Sequence, residues 1–377
     1  MEMPFIFGKL ALEQNFTDRE KEIEHLKQNF TGGINTILIS PRRWGKSSLV
    51  QKAGKEAAKS DKNLRMVYID LYNIRREEDF YKYLSEKVLS AVSNKLEELA
   101  ENAKKFLKQW IPKISFTPDA QQEVSFGLDW QQVKKQPDEI LNLAETIALE
   151  KNLKIMICID EFQNIGYFND PLAFQKKIRS HWQKHQNTSY CLYGSKRHMM
   201  MEVFASPSMP FYKFGDLLFL QKIPTEKWHP FIVKRFKATG KKITKKPALK
   251  IAGLVENHPY YVQQLAQLTW LRTEKEATDE IIDQSLESLI MQLSLLFQSL
   301  TESLSTTQVN YLQALLDGVS KLSSKKTIAK YDLGTSANVV RIKSALINRE
   351  IIDEYGGHIY IQDPVYGIWL RDYYFRR

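Results

Sequence analysis

Five continuous apolar runs, separated by amphipathic helical segments, occupy residues 34–224. The runs read "INTILIS", "RMVYIDLY", "LKIMICID", "TSYCLYGS" and "LLFLQKI". Apolarity that is continuous rather than alternating indicates strands buried on both faces, and helices between such strands predict right-handed parallel crossovers. We therefore predict an α/β fold with a doubly wound parallel sheet.

The first run leads directly into "SPRRWGKSSLV", where a glycine, a lysine and a serine stand between a strand and a helix. A loop in this setting turns its backbone N–H groups toward phosphates at a helix N-terminus. Gly45 would allow close backbone approach, Lys46 would contact the β- and γ-phosphates of ATP, and Ser47 would ligate Mg²⁺. We expect the other loop residues to line the same nucleotide site: Pro41, Arg42, Arg43, Trp44 and Ser48.

Ser40 stands where such a loop usually begins with glycine. Because Pro41 follows, Ser40 is driven into an extended conformation that any L-residue adopts without strain. Glycine is therefore not sterically required, and we interpret the loop as intact. Arg42 and Arg43 leave three interpretations open, namely contact with phosphate, contact with a partner subunit, and plain solvation.

The third apolar run ends in an acidic pair, Asp160 and Glu161. A strand that ends in solvated acids is one interpretation of this pattern. Paired with the phosphate loop, the acids instead predict a carboxylate that holds Mg²⁺, Asp160, and a second that polarises the attacking water, Glu161.

The fourth run ends in "GSKR". Strand carboxyl ends line the ligand crevice of an open α/β sheet. We therefore expect Ser195 to sense the γ-phosphate and Arg197 to approach it as a positive charge from the same chain. A surface cation is an equally good interpretation of Arg197.

The positive charge of the chain is regional. Of a net charge of +10, residues 171–250 carry seventeen Lys and Arg against three acids, so the remainder is slightly acidic. The excess, which includes Lys241 and Lys242, favours a polyanion such as double-stranded DNA. Lysine-rich helix faces that are only solvated are the alternative.

Two features of the sequence bear on the location of the protein. No apolar stretch approaches the roughly 20 residues of a membrane span, so no membrane partner is expected. Cys158 and Cys191 both lie in apolar runs, and we interpret them as buried free thiols, for which a reducing cytoplasm is the default.

Three domains are predicted. Residues 1–224 form the sheet domain, with an inserted β-hairpin near residues 108–133, and residues 225–300 are mostly helical. Residues 301–377 read as three helices and a hairpin that turns at Gly356 and Gly357, which is the order of a winged helix-turn-helix. Val339, Ile342 and Leu346 would form the inward face of its third helix.

Seven segments occur in the order seen in the archaeal-type ATPases, P-loop proteins of the AAA+/STAND group. They are "NFTDREKEIEHL", "SPRRWGKSSLV", "ICIDEFQNI", "LYGSKRHMM", "PFYKFGDLLFLQKI", "ENHPYYVQQLA" and "INREIIDEYGGHIYIQDPVYGIWLR". The resemblance implies an ATP-binding core, a helical lid and a C-terminal winged helix. By position, Phe16 and Arg19 resemble the family's adenine-side lead-in, and Pro259 resembles the lid proline that packs near the nucleotide.

Three functions follow from these observations. The first is an ATPase that couples Mg²⁺-ATP binding and hydrolysis to movement of the lid and winged helix, on DNA or a protein partner. The second is a signalling switch that hydrolyses slowly, or only as a homo-oligomer. The third is a DNA-binding regulator that contacts DNA through Arg341 and Lys343 of the winged helix or through the 171–250 basic region.

Overall fold

Each predicted apolar run contains one strand of a five-stranded parallel sheet. The computed structural model describes residues 3–11, 15–93, 95–106 and 137–375, and the hairpin predicted near residues 108–133 lies outside them. The strands are β1 (Thr36–Ile39), β2 (Leu64–Asp70), β3 (Lys154–Asp160), β4 (Thr188–Gly194) and β5 (Asp216–Phe219). Their order across the sheet is β2-β3-β4-β1-β5. This is the predicted α/β doubly wound fold.

The chain divides into two units, which are described separately. The sheet unit comprises Arg19–Arg42 and Lys46–Gln221. The helical unit comprises Met1–Asp18, Arg43–Gly45 and Lys222–Arg377.

In the sheet unit, the first helix precedes the first strand and the other helices connect the strands. They are α1 (Glu20–Thr31), α2 (Lys46–Ser60), α3 (Glu77–Ala91), α4 (Leu96–Phe106), α5 (Asp138–Leu141), α6 (Leu143–Lys151), α7 (Pro171–Trp182) and α8 (Arg197–Ala205). Helix α2 buries Leu49, Ala53 and Ala57, because residues four apart share one helix face. A 3-10 turn, Phe162–Tyr167, follows β3.

The strand register brings three strand ends together at one edge of the sheet. Strand β4 lies between β1 and β3, and Ile39 pairs with Gly194 at the end of β1. Parallel strands end at the same edge, so the residues that follow β1, β3 and β4 lie side by side there. In the sheet interior Cys158 is opposite Cys191, and both are buried free thiols as predicted.

The helical unit begins with four helices and continues into a winged helix-turn-helix. Its elements are α9 (Thr225–Lys237), α10 (Lys245–Leu254), α11 (Pro259–Arg272), α12 (Asp279–Glu302), α13 (Thr306–Leu316), α14 (Lys325–Tyr331), α15 (Ser336–Asn348), β6 (Ile352–Tyr355), β7 (His358–Ile361) and α16 (Pro364–Trp369), followed by a π-helical turn, Leu370–Tyr374. Strands β6 and β7 pair antiparallel across the predicted glycine turn.

Local sequence explains the winged helix well. The Ser305 hydroxyl accepts from the Gln308 N–H, and the Gln308 side chain accepts from the Ser305 N–H, so a capping box starts α13. Thr335 caps α15, whose inward face buries Val339, Ile342 and Leu346 as predicted. Within the described parts of the chain, no helix has the length and apolarity needed to cross a membrane.

Candidate nucleotide site

The loop after β1 has the backbone that a phosphate loop requires. Ser40 is fully buried, is not left-handed, and its hydroxyl donates to the Pro41 carbonyl at 3.0 Å. Gly45 has φ +88°, which glycine adopts at little cost, and Arg43 has φ +62°. Helix α2 then begins at Lys46, so Lys46, Ser47 and Ser48 form its first turn.

Within the sheet unit, the first turn of α2 meets the acidic pair after β3. The Ser47 hydroxyl donates to Asp160 Oδ2 at 2.5 Å. Lys46 Nζ lies 3.2 Å from Glu161 Oε1 and 3.9 Å from Asp160 Oδ1. Lys46 is only 7% exposed. A largely buried lysine is therefore neutralised by two carboxylates at the N-terminus of a helix.

The pKa values of the two acids shift in opposite directions. Burial raises the pKa of Asp160 above its ordinary value, although Lys46 and the Ser47 hydroxyl favour the charged form. Burial also disfavours charge on Glu161, but Lys46 and hydrogen bonds from Gln163 and Ser195 outweigh it, so the pKa of Glu161 falls below its ordinary value. Glu161 is therefore held as a carboxylate.

Glu161 is fixed on its other side by two neutral donors. Gln163 Nε2 donates to Glu161 Oε2 at 2.5 Å, and Ser195 Oγ donates to the same oxygen at 2.9 Å. The backbone of Glu161 is left-handed, with φ +50°. Sequence reasoning missed Gln163; the one signal for it was a pair of amide side chains, Gln163 and Asn164, within the otherwise apolar stretch that follows the acids.

Two other predicted residues, Arg197 and Arg19, and a third strand-end acid, Asp70, lie elsewhere in the sheet unit. Arg197 is the first residue of α8, two positions after Ser195. Arg19 is buried and donates to Glu22 at 3.0 Å. Asp70, at the end of β2, is opposite Asp160 in the sheet, but it is exposed and accepts the N–H of Tyr72.

Further predicted residues belong to the helical unit. Phe16 is half-buried, Trp44 is buried and Pro259 is the buried first residue of α11. The Arg43 guanidinium lies over the Tyr260 ring, 4.6 Å from its centroid. Beside it, the Tyr261 hydroxyl donates to Asp363 Oδ2 at 2.5 Å.

The residues offered for DNA contact differ in their surroundings. Arg341 of α15 and Lys242 are exposed. Lys343 Nζ pairs with Glu354 at 2.7 Å. Lys241 Nζ donates to the Trp270 carbonyl at 2.7 Å and lies 4.3 Å from the centroid of that ring.

The sheet order, the phosphate loop after β1 and the acids at the end of β3 define a P-loop NTPase fold, which a C-terminal winged helix follows. Residues 16–265 match a family described as an ATPase domain predominantly from Archaea, and the chain belongs to this family. Residues 295–372 match a family described as "Probable winged helix domain". No curated protein matches the sequence.

Solved structures share the fold at low sequence identity. The Walker-type ATPase PABY2304 of Pyrococcus abyssi is 17% identical, with a TM-score of 0.67 over 98% of this chain and 99% of that chain. The ADP form of the Aeropyrum pernix ORC2 protein is 10% identical, with a TM-score of 0.52 over 93% of each chain. The Aeropyrum pernix ORC1 protein in complex with DNA is 12% identical, with a TM-score of 0.50 over 97% of this chain and 95% of that chain.

Proposed function

We propose that this chain hydrolyses ATP at the site formed by Lys46, Ser47, Asp160 and Glu161. One observation carries the proposal. Lys46 and Ser47, at the start of α2, each contact an acid that follows β3, at 3.2 Å and 2.5 Å. The groups that would bind phosphate, Lys46 and Ser47, are thus in direct contact with the acids that would hold Mg²⁺ and activate water.

Mg²⁺ fits this donor set. In the described residues no three His, Cys, Asp or Glu side chains come together as a metal site. Mg²⁺ is commonly held by one or two carboxylates together with substrate phosphates. Ser47 and Asp160 would hold it here. When bound, Mg²⁺ would neutralise charge on the β- and γ-phosphates.

The protein groups then have distinct roles. Lys46 would balance phosphate charge as a point charge, and the N-terminus of α2 would favour the same anion. Glu161, held ionised, would orient the attacking water and accept its proton. Ser195 would hold Glu161 in place by donating a hydrogen bond to its Oε2, the oxygen that does not contact Lys46. The roles of Arg197, Arg42, Phe16, Arg19 and Pro259 at the nucleotide stay predictions.

Steady-state ATP turnover tests the proposal. We expect Glu161→Gln to lower kcat by about 10²–10⁴-fold, because general base catalysis contributes that much. Nucleotide affinity should change little, since Lys46 and Ser47 remain. We also expect chelation of Mg²⁺ by EDTA to abolish turnover in the wild type.

Asp70→Asn is the matched control, because Asp70 is also a carboxylate at the end of a strand but, among the described residues, accepts a hydrogen bond only from the Tyr72 N–H of the local turn. It should turn over ATP at the wild-type rate. Equal kcat for wild type and Glu161→Gln would refute the assignment of Glu161.

We further propose that nucleotide binding is coupled to the helical unit, with 225–300 as a lid and 301–377 as a winged helix. Arg43 supports this, since it lies three positions before Lys46 in the chain and its guanidinium covers Tyr260 of α11. The next residue of α11, Tyr261, donates to Asp363, which caps α16. A change in the phosphate loop would therefore reach the winged helix through two adjacent tyrosines.

A DNA-binding role is the second candidate, and it is favoured by exposed charge. Lys234 and Lys237 of α9, Lys242, and Lys245 and Lys246 of α10 are all exposed. The ORC1 structure was solved with DNA, and its fold is similar to that of this chain.

A switch that hydrolyses only as a homo-oligomer or with a protein partner is the third candidate. Specific activity that rises with protein concentration would support it.

A further inference from the structure

We propose that Gln163 is a positioning residue for the hydrolysis proposed above. We also propose that the missing Cβ of Gly194 provides the space for the Gln163 side chain. The inference rests on the proposed function, because it concerns the side chain that would accept the proton. It adds a residue and a mechanism to that site. Every contact involved lies within the sheet unit.

The carboxylate of Glu161 is held by donors of two kinds. Oε1 faces the charged Nζ of Lys46 at 3.2 Å. Oε2 accepts from the neutral Gln163 Nε2 at 2.5 Å and from Ser195 Oγ at 2.9 Å. With Lys46 on one oxygen and two neutral donors on the other, the carboxylate is held at both oxygens, so its rotation about the terminal bond is restricted. Gln163 and Ser195 therefore fix the orientation of Glu161 on the side that Lys46 does not contact.

Packing alone does not explain a glutamine at position 163. Its side chain is 1% exposed, and its amide oxygen, Oε1, has no hydrogen-bond partner among the described residues. A buried amide oxygen without a partner is unfavourable, and an apolar side chain of equal volume would avoid that penalty. The gain that offsets it is the N–H donated to Glu161.

Gly194 provides the space for that amide. A Cβ on Gly194 would lie 1.9 Å from Gln163 Oε1 and 3.1 Å from its Cδ. Gly194 is the last residue of β4, and its φ lies outside the left-handed region, so the backbone itself does not require glycine. The glycine and the glutamine therefore form a matched pair across the ends of β3 and β4.

The first experiment replaces the amide by groups of similar length. In Gln163→Met the donor is lost and the volume is kept. In Gln163→Glu the donor is replaced by an acid beside Glu161. We expect kcat to fall at least 10-fold in Gln163→Met and further in Gln163→Glu, while KM for ATP and the Kd for ADP stay within about 3-fold of wild type.

Gln175→Met is the matched control. Gln175 lies on α7, is 3% exposed, and also has a buried amide oxygen without a partner among the described residues. A purely structural role for buried glutamines would make the two Met variants alike in thermal unfolding and in kcat. The proposal requires that only Gln163→Met loses kcat.

A double-mutant cycle tests the pairing with Gly194. Gly194→Ala alone should lower kcat at least 10-fold by displacing the amide. In the Gln163→Ala background the two closest Gln163 atoms are gone, and the nearest neighbour that remains is the Met200 sulfur at 2.9 Å, in a flexible side chain. Gly194→Ala should then lower kcat by less than 2-fold. Independent, additive losses would overturn the pairing.

The outcomes separate this inference from the proposed function. If Glu161→Gln is inactive and Gln163→Met retains the wild-type kcat, the role of Gln163 is refuted and hydrolysis at this site stands. If Glu161→Gln keeps the wild-type rate, both proposals fail together. If Gln163→Met loses ADP binding to the same extent as kcat, its role is structural and the inference is overturned.

Discussion

Ser40 shows how a phosphate loop accommodates a side chain at its first position. Its backbone stays outside the left-handed region, its side chain is fully buried, and its hydroxyl donates to the next carbonyl. A hydroxyl that satisfies its own donor locally needs no partner elsewhere. The left-handed backbone of the loop lies instead at Arg43 and at Gly45, and Gly45 adopts it at little cost.

Burial of His258 makes the free energy of unfolding depend on pH. Burial, reinforced by Lys222 and Arg43, lowers its pKa to about 3. The unfolded chain takes up this proton below about pH 6.5. The contribution of His258 to stability is therefore complete above pH 6.5 and is lost as the pH falls from 6.5 toward 3. At pH 5.5 the loss should be about 1 kcal/mol relative to pH 7.5.

Urea unfolding of the full chain at these two pH values checks the prediction. Burial also lowers the pKa of His185, to about 4, so the wild type carries a second contribution of the same sign. His258→Gln should remove only its own share, about 1 kcal/mol of the pH difference. An unchanged difference in His258→Gln would contradict the prediction.

At the scale of elements, periodic patterns predicted most of what the structure contains. Continuous apolarity located all five strands of the parallel sheet, and residues at helical spacing predicted the buried face of α15. The proximity of Lys46, Ser47, Asp160 and Glu161 was predictable because each lies in the first turn of a helix or at the end of a strand.

Other parts of the site depend on tertiary geometry that the periodicity of the sequence does not encode. Gln163 reaches Glu161 because a 3-10 turn, not an α-helix, follows β3 and because Gly194 lacks a Cβ. Tyr260 meets Arg43 although the two are far apart in the sequence. Such contacts are set by tertiary packing, so residue types and spacing do not predict them.

The contact between Arg43 and Tyr260 carries the element-scale prediction. Tyr260→Leu removes the ring but leaves Arg43 in the phosphate loop. We expect ATP to change hydrogen exchange of α16 and the π-helical turn in the wild type, because Tyr261 and Asp363 connect α11 to α16. In Tyr260→Leu this ATP-dependent change should fall at least 2-fold, with nucleotide affinity within about 3-fold of wild type.

Tyr212→Leu is the control for that measurement. Tyr212 also forms a cation–π contact, with Lys213 Nζ 5.3 Å from its centroid, but it belongs to the sheet unit. It should leave the exchange response at its wild-type size. Equal responses in wild type and Tyr260→Leu would rule out coupling through this tyrosine.

At the scale of the whole molecule, the uneven distribution of charge is the feature that bears on function. Residues 222–250, all in the helical unit, contain ten Lys and Arg and one acid. Within the winged helix, Lys343 is paired with Glu354, and Arg349 donates to the Ser303 carbonyl at 2.9 Å. The exposed Lys242, Lys245 and Lys246 are therefore better placed than Lys343 and Arg349 to contact a polyanion without first losing an internal partner.

Salt dependence of duplex DNA binding tests that expectation. Each phosphate contact contributes a slope of about 0.9 to the fall of log K with log salt. Neutralising Lys242, Lys245 and Lys246 together to Gln should therefore reduce the slope by about 2–3 and weaken binding uniformly across sequences. Arg341→Gln should reduce it by at most about 1, and Lys21, Lys62 and Lys82, exposed on the sheet unit, provide the charge-matched triple control. A slope that changes equally in both triple variants would mean that DNA responds only to net charge, and the case for a DNA-docking surface on α9 and α10 would be lost.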